Sequence, residues 1–113
     1  MRLDKPLVDH RIYTIALRQM DAFLDVFDRL AMPVLLETLG TPLGIHVSQV
    51  GPLNQVVHLW AYENLADYER RCRLRDTHPD FPAYLAASGH LITAQETRLI
   101  RLVDMPSLRN WKP

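Results

Sequence analysis

The stretch "NQVVHLWAY", Asn54 to Tyr62, is apolar on both of its alternating faces. Read as a strand, it places Val57, Leu59 and Ala61 on one side and Val56, His58, Trp60 and Tyr62 on the other. A strand of this composition cannot lie in a sheet wetted on one side; both of its faces have to be covered. That requirement constrains the whole chain more than any other local feature.

The flanking segments supply the rest of a sheet and one helical layer. Leu7–Leu17 ("LVDHRIYTIAL") alternates and is rich in Val, Ile, Tyr and Thr, so a first strand is expected there. From Met20 to about Leu39 the period changes: Phe23, Val26, Phe27, Leu30, Val34 and Leu35 recur every three or four residues, the stripe of a helix packed on one side. Pro33 falls inside this stripe and has to kink or split the helix, and Gly40 is a suitable stop. Two short strands are expected over Leu43–Val50 and Asn54–Tyr62, joined by a turn at Gly51-Pro52-Leu53. Asn64 is a good N-cap for a charged helix over Leu65–Arg75, with Asp67 near its positive end. A short helix over Phe81–Ala87 stopped by Gly89, a last strand over Ile92–Val103 and an irregular arm from Asp104 to Pro113 complete the reading. The order β-α-β-β-α-β is the ferredoxin-like, split βαβ plan, a four-stranded antiparallel α+β domain filling one unit over residues 1–113 with its core at 7–103.

Two helices cover only one side of such a sheet. Four strands spaced ~4.8 Å apart and ~20 Å long leave roughly 400 Å² on each face. The small aliphatic set of the third strand is expected under the helices, and the His58-Trp60-Tyr62 set on the uncovered side. A second copy of the chain, sheet against sheet about a two-fold axis, is the simplest cover and gives a homodimeric barrel with a narrow interior. The other arrangement folds the C-terminal arm back over the open face.

Composition narrows the function classes. Lysine plus arginine equal aspartate plus glutamate at 13 each, so no electrostatic footprint for nucleic acid or an anionic membrane is present. A single cysteine, Cys72, excludes an intrachain disulfide and favours a reducing compartment. The N-terminus has no apolar signal core and no apolar run is long enough to span a bilayer, so a cytoplasmic location is expected. Phosphate loops, H-E-x-x-H, C-x-x-C and G-x-S-x-G motifs are absent, which disfavours nucleotide hydrolysis, zinc proteolysis and the serine-hydrolase plan. No cofactor and no metal site are expected.

The residues also resemble a known family. Gly51-Pro52-Leu53-Asn54, a short gap, His58-Leu59-Trp60-x-Tyr62 and the paired Arg70-Arg71 on the next helix are similar to the central signature of NIPSNAP proteins. "DHRIYTI" resembles that family's first strand, with Asp9 at a position usually held by glutamate and Arg11 and Tyr13 matching; "QETRLIR" resembles its last. The resemblance spans about residues 7–103 and implies a dimeric α+β barrel. It implies no settled activity: small bacterial members mostly lack one, and animal members are mitochondrial, with proposed vesicle-transport or mitophagy roles. Barrels of similar build include cofactor-free monooxygenases and haem proteins, an analogy of fold alone.

Carrying the resemblance to the first strand puts Asp9, Arg11 and Tyr13 on one face with His58, Trp60 and Tyr62. This set offers a base, a cation and phenols, or equally a buried network in which Asp9 and Arg11 neutralise each other. His58, Tyr13 and Tyr62 are the catalytic candidates, and Asp9, Arg11, Tyr13, Asn54, His58, Trp60 and Tyr62 the ligand-binding candidates. His46 on the neighbouring edge strand could pair with His58 only in a favourable register, while Asn54 serves equally to satisfy the turn. The arginine run from Arg70 to Arg75 is interleaved with acids, Asp67 and Glu69 standing four residues before Arg71 and Arg73, as on a solvated helix face. Three functions remain: a dimer binding a small apolar or aromatic molecule, a cofactor-independent monooxygenase- or isomerase-like enzyme, and a structural interaction protein with a solid interior. A void of ~300 Å³ or more lined by His58 and Trp60 separates the first two from the third.

Overall fold

The computed structural model describes residues 2–112. Its strands are β1 (Leu7–Ile15), β2 (Gly44–Val47), β3 (Gln55–Tyr62) and β4 (Ile92–Arg101). They form a single four-stranded sheet in the order β2-β3-β1-β4, antiparallel throughout. Helices α1 (Met20–Val26), α2 (Met32–Thr38), α3 (Leu65–Asp76) and α4 (Phe81–Ser88) follow the expected order. The ferredoxin-like α+β plan read from the sequence is the one adopted.

Pro33 splits the first helical stretch in a specific way. A turn of π-helix, Phe27–Ala31, separates α1 from α2, and Pro33 then sits in the first turn of α2. A missing N–H is harmless there, because first-turn donors have no intrahelical partner. The C-terminal stop is as expected: Leu39 donates to the Leu35 carbonyl at 2.7 Å, and Gly40 turns away with φ +93°.

Most element ends fall within one or two residues of the sequence reading, and the larger departures have local causes. β2 ends at Val47 rather than Val50, because Gly51 (φ +106°) and Asn54 (φ +62°) carry the connection through left-handed conformations that a ladder cannot hold. Gly89 closes α4 with an ordinary helical φ of −55° and uses none of its special freedom. The C-terminal arm is not wholly irregular: Pro106 opens a one-turn helix α5 (Pro106–Arg109), braced by an ion pair between Asp104 and Arg109.

The larger correction concerns which sheet face the helices cover. Tyr13, Val56, His58, Trp60 and Tyr62 lie beneath the helical layer and are all buried, whereas Val57 and Leu59 are only half-buried. The helices present large rings of their own: Phe23 and Phe27 stack at 5.5 Å, and Tyr84 lies 5.9 Å from Phe27. A layer built from aromatic side chains interlocks with other aromatics, and dispersion grows with the atoms in contact. The small aliphatic side chains are left for the open face. There Val8 pairs with Ala61 and Ile100, and Ile12 with Val57. The radius of gyration, 15.4 Å, exceeds the about 13 Å of a compact chain of this length. β4 forms one edge of that sheet, and every residue of it after Ile92 is exposed.

Asp67 ties α3 to β3. Its side chain accepts from the Glu63 amide at 3.0 Å and from Arg70 and Arg71 at 2.9 Å each, while Asn64 caps the helix by accepting from the Asp67 amide. Arg71 also donates to the Thr38 carbonyl and so pins α3 to the end of α2. Glu69 and Arg73 form the expected exposed pair. Burial opposes the charge on Asp67, but the Glu63 amide and the Arg71 guanidinium outweigh it and hold its pKa below the usual carboxylate range. A depressed pKa of this kind adds stability above the unfolded-state pKa, and that stability is lost as pH falls through the folded one. Asp67→Ala is therefore expected to lower unfolding free energy by about 1–3 kcal/mol at neutral pH, measured by urea denaturation. The difference from the parent should shrink below about pH 4. An equal penalty at pH 3 and pH 7 would refute the charge-based account.

Candidate functional site

The β1–β3 ladder aligns Asp9 with Trp60 and Arg11 with His58 as direct neighbours. Cross-strand partners share a face, so Asp9, Arg11, Tyr13, His58, Trp60 and Tyr62 do lie on one side of the sheet, as the sequence reading has it. That side is the helix-covered one. A partly open cavity of about 390 Å³ lies between it and the helices. Arg11, Tyr13, His58 and Trp60 form its floor. The walls include Phe27 from the π-turn, Tyr84 and Ser88 from α4, Arg75 and Asp76 from the end of α3, and Gln95 from β4.

The residues expected to face an interior between two sheets instead lie on the side of a partly open cavity within a single chain. Three of the seven ligand-binding candidates do not line it. Asp9 stands behind Arg11 and accepts from its Nε at 2.8 Å, Tyr62 packs edge-on to Tyr68 at 5.2 Å, and the Asn54 main-chain carbonyl accepts from the Ile15 amide at 2.7 Å, continuing the β1–β3 pairing. His46 pairs with Val57 in the ladder and so projects to the face opposite His58, which removes a shared metal site. No cluster of three or more metal-ligating side chains occurs among the described residues.

His58 is 2% exposed and has a defined tautomer. The Trp60 indole donates its Nε1–H to His58 Nδ1 at 2.8 Å. An indole nitrogen can only donate, so Nδ1 carries the lone pair and the neutral ring holds its proton on Nε2. Protonating Nδ1 would set two N–H groups against each other. Burial, reinforced by the Arg11 charge, depresses the His58 pKa to about 3. The ring is edge-on to Tyr13 at 4.6 Å and to Phe27 at 5.5 Å. His58 thus offers a hydrogen-bond donor and no free basic nitrogen, which argues against the general base first considered for it.

Arg11 keeps its charge firmly: burial opposes it, but Asp9 and the neighbouring Tyr13 oxygen outweigh burial and raise its pKa. Burial raises the Tyr84 and Tyr62 phenols, so both stay protonated. Among the described residues, four buried side-chain atoms lack a hydrogen-bond partner: Asp9 Oδ1, His58 Nε2, Tyr62 Oη and Tyr84 Oη. Buried polar atoms are nearly always paired, so two of these at one cavity are notable. Arg75 sits at the rim, bound to Asp76 at 2.9 Å and lying over the Phe81 ring at 5.6 Å.

Phe27, Arg75, Tyr84 and Ser88 were not among the candidates. Phe27 reads as ordinary helix core, and Tyr84 lies in a short segment with no distinctive period. Nothing local marks either as facing a cavity.

An antiparallel sheet with helices on one face and a partly open cavity between the two defines the class: a ferredoxin-like α+β domain. The chain belongs to the NIPSNAP family, whose sequence profile matches residues 8–106. A NIPSNAP family protein of Agrobacterium tumefaciens is 29% identical and superposes with a TM-score of 0.85, over 91% of this chain and 98% of that one. A second from the same species, described as of unknown function, is 28% identical with a TM-score of 0.79, over 88% and 89% of the two chains. The curated "Protein NipSnap homolog" of Dictyostelium discoideum is 45% identical over 38 residues, 34% of this chain and 16% of that protein. A putative antibiotic biosynthesis monooxygenase from Nitrosomonas europaea shares the fold, with a TM-score of 0.64 at 12% identity over 87% and 90% of the chains.

The tautomer lock is testable by nitrogen-15 spectroscopy of the histidine rings. His58 should remain neutral with its proton on Nε2 down to about pH 4, as its pKa of about 3 requires. Trp60→Phe should free Nδ1 and move the titration upward. Because the folded pKa lies below the ordinary 6.5, the unfolded chain binds the extra proton between these values. Stability should therefore fall as pH drops through that window, by at most about 1.4 kcal/mol per pH unit from this group. A wild-type His58 titrating near its ordinary value would disprove the lock.

Proposed function

We propose that this chain is a homodimeric binding protein that holds one small, flat, largely apolar molecule per protomer in the cavity between sheet and helices. The cavity carries this reading. Its about 390 Å³ falls within the range of small-molecule sites, and His58 and Trp60 both line it. Aromatic walls from Tyr13, Phe27 and Trp60 suit a flat ligand. A catalytic role as a cofactor-independent monooxygenase gains support from fold likeness alone, and the donor-only state of His58 weighs against base catalysis.

The homodimer reading is supported by the open face. Val8, Ile12, Val57, Leu59 and Ile100 lie on the face without helices over it, with His10 between Val8 and Ile12 and with Glu96 and Arg98 along its β4 side. Exposed apolar patches mark association surfaces, and a two-fold sheet-to-sheet contact covers this face with a second copy. Cavity and dimer face then lie on opposite sides of one sheet, so each protomer keeps its own site. Zero net charge supports neither a nucleic-acid nor a membrane partner, and no helix among the described residues is long and apolar enough to cross a bilayer. The lone unpaired Cys72 supports a reducing, cytoplasmic setting.

Two variants test the two halves separately. Leu59→Glu should convert a dimer to a monomer in sedimentation velocity at micromolar concentration while leaving ligand binding in place; a wild-type monomer would defeat the dimer reading. Leu85 lines the cavity yet is 53% exposed, so Leu85→Trp should fold normally and obstruct the mouth. Naphthalene-sized compounds that bind the parent in ligand-observed NMR should lose their signal with this variant. Unchanged binding would place the ligand elsewhere.

A further inference from the structure

The cavity combines apolar walls with several polar groups, and two of the buried polar atoms, His58 Nε2 and Tyr84 Oη, have no partner. The His58 ring, with Nδ1 committed to Trp60, can offer only its Nε2–H, and that group is buried without an acceptor. Nε2 lies at the end of the imidazole distal to the strand, and so toward the helices. The Tyr84 hydroxyl enters from α4; it lies near Ser88 but makes no hydrogen bond of ordinary geometry. Arg11, from the strand beside His58, spends its Nε on Asp9 and also meets the Tyr13 oxygen, and still has N–H groups of its five-donor fork left over. Its side chain is 13% exposed and lines the same space.

Acceptors do not balance these donors. Asp9 stands behind Arg11 and is not part of the lining, and Asp76, at the rim, is engaged by Arg75. The Tyr13 oxygen is engaged by Arg11, and neither the Gln95 amide nor the Ser88 hydroxyl, which also line the cavity, pairs with His58 Nε2 or Tyr84 Oη. An unpaired buried donor is costly, and the His58 and Tyr84 donors, with the Arg11 cation beside them, are best satisfied by one group able to accept from all three. We infer that the ligand is a flat apolar molecule bearing a carboxylate or equivalent oxyanion, with the anion held by Arg11, His58 Nε2–H and the Tyr84 hydroxyl and the flat body between Phe27 and Trp60. This inference rests on the cavity-binding reading above and adds the chemical class. The guanidinium selects an anion over a neutral acceptor because charge-assisted hydrogen bonds are about twice as strong. The neutral imidazole supplies a donor that does not switch with pH.

Isothermal titration calorimetry with 2-naphthoate and its neutral counterpart 2-naphthamide tests the inference on the full chain. The carboxylate should bind about tenfold tighter or more, and its affinity should stay flat from pH 6 to pH 8. Arg11→Met should erase the preference. Because that change leaves Asp9 buried without its cation and can impair folding, Tyr84→Phe serves as the second variant. Tyr84→Phe should weaken naphthoate about three- to tenfold while raising the melting temperature of the empty protein, since it deletes an unpaired buried hydroxyl. Equal binding of the two compounds, or a preference for the amide, overturns the oxyanion assignment and leaves the cavity reading intact. Binding of neither compound overturns both. A carboxylate affinity that falls steeply above pH 6.5 would show a protonated histidine in the site and overturn the donor scheme.

Discussion

The antiparallel ladder between β1 and β3 is the constraint on which the rest of this molecule depends. It runs unbroken from Leu7↔Tyr62 to Thr14↔Gln55 and puts Arg11 beside His58 at its middle. A slip of one residue would turn Asp9 and Arg11 out to the open face and carry Val8, His10 and Ile12 beneath the helices. The ion pair, the locked imidazole and the cavity floor would all disappear together. The site is therefore a property of strand register before it is a property of any single side chain.

Strand register also explains what could be read beforehand. Alternation in "LVDHRIYTI" and "QVVHLWAY" reveals which residues keep company, and the grouping of Arg11 with His58 and Trp60 holds in the structure. Alternation does not say which of two apolar faces meets the helices. That depends on the rings the helices bring, Phe23, Phe27 and Tyr84, whose bulk matches His58 and Trp60 better than Val57 and Leu59. The helix stop at Gly40 and the cap at Asn64 were legible because each rests on local backbone chemistry. The π-turn was legible only as an interruption at Pro33, since the residues that widen, Phe27–Ala31, precede the proline. Tyr84 was illegible as a site residue, because its place depends on how α4 crosses the sheet.

The polar groups under the helices are expensive from the standpoint of folding. Asp9, His58, Tyr62 and Tyr84 each bury an atom without a partner, in a core that apolar residues of similar volume would fill at lower cost. A chain selected only to be stable gains nothing from this arrangement. Strain and unmet hydrogen bonds retained at one locus are a common mark of function, where stability is given up for a prepared binding geometry. His58 and Tyr84 at the cavity fit that pattern, whereas Asp9 Oδ1 and Tyr62 Oη lie off the cavity lining.

The long outer strand β4 has a consequence for assembly. A sheet edge of this length presents a row of unpaired amides and carbonyls, the template on which chains zip into open-ended fibres. Gln95, Glu96, Thr97 and Arg98 occupy its central stretch, so any copy approaching rim to rim meets hydrated and charged side chains first. On the proposed two-fold contact the apolar side chains meet across the broad side of the sheet, where closure ends after one addition. That contact yields a finite particle and not a filament.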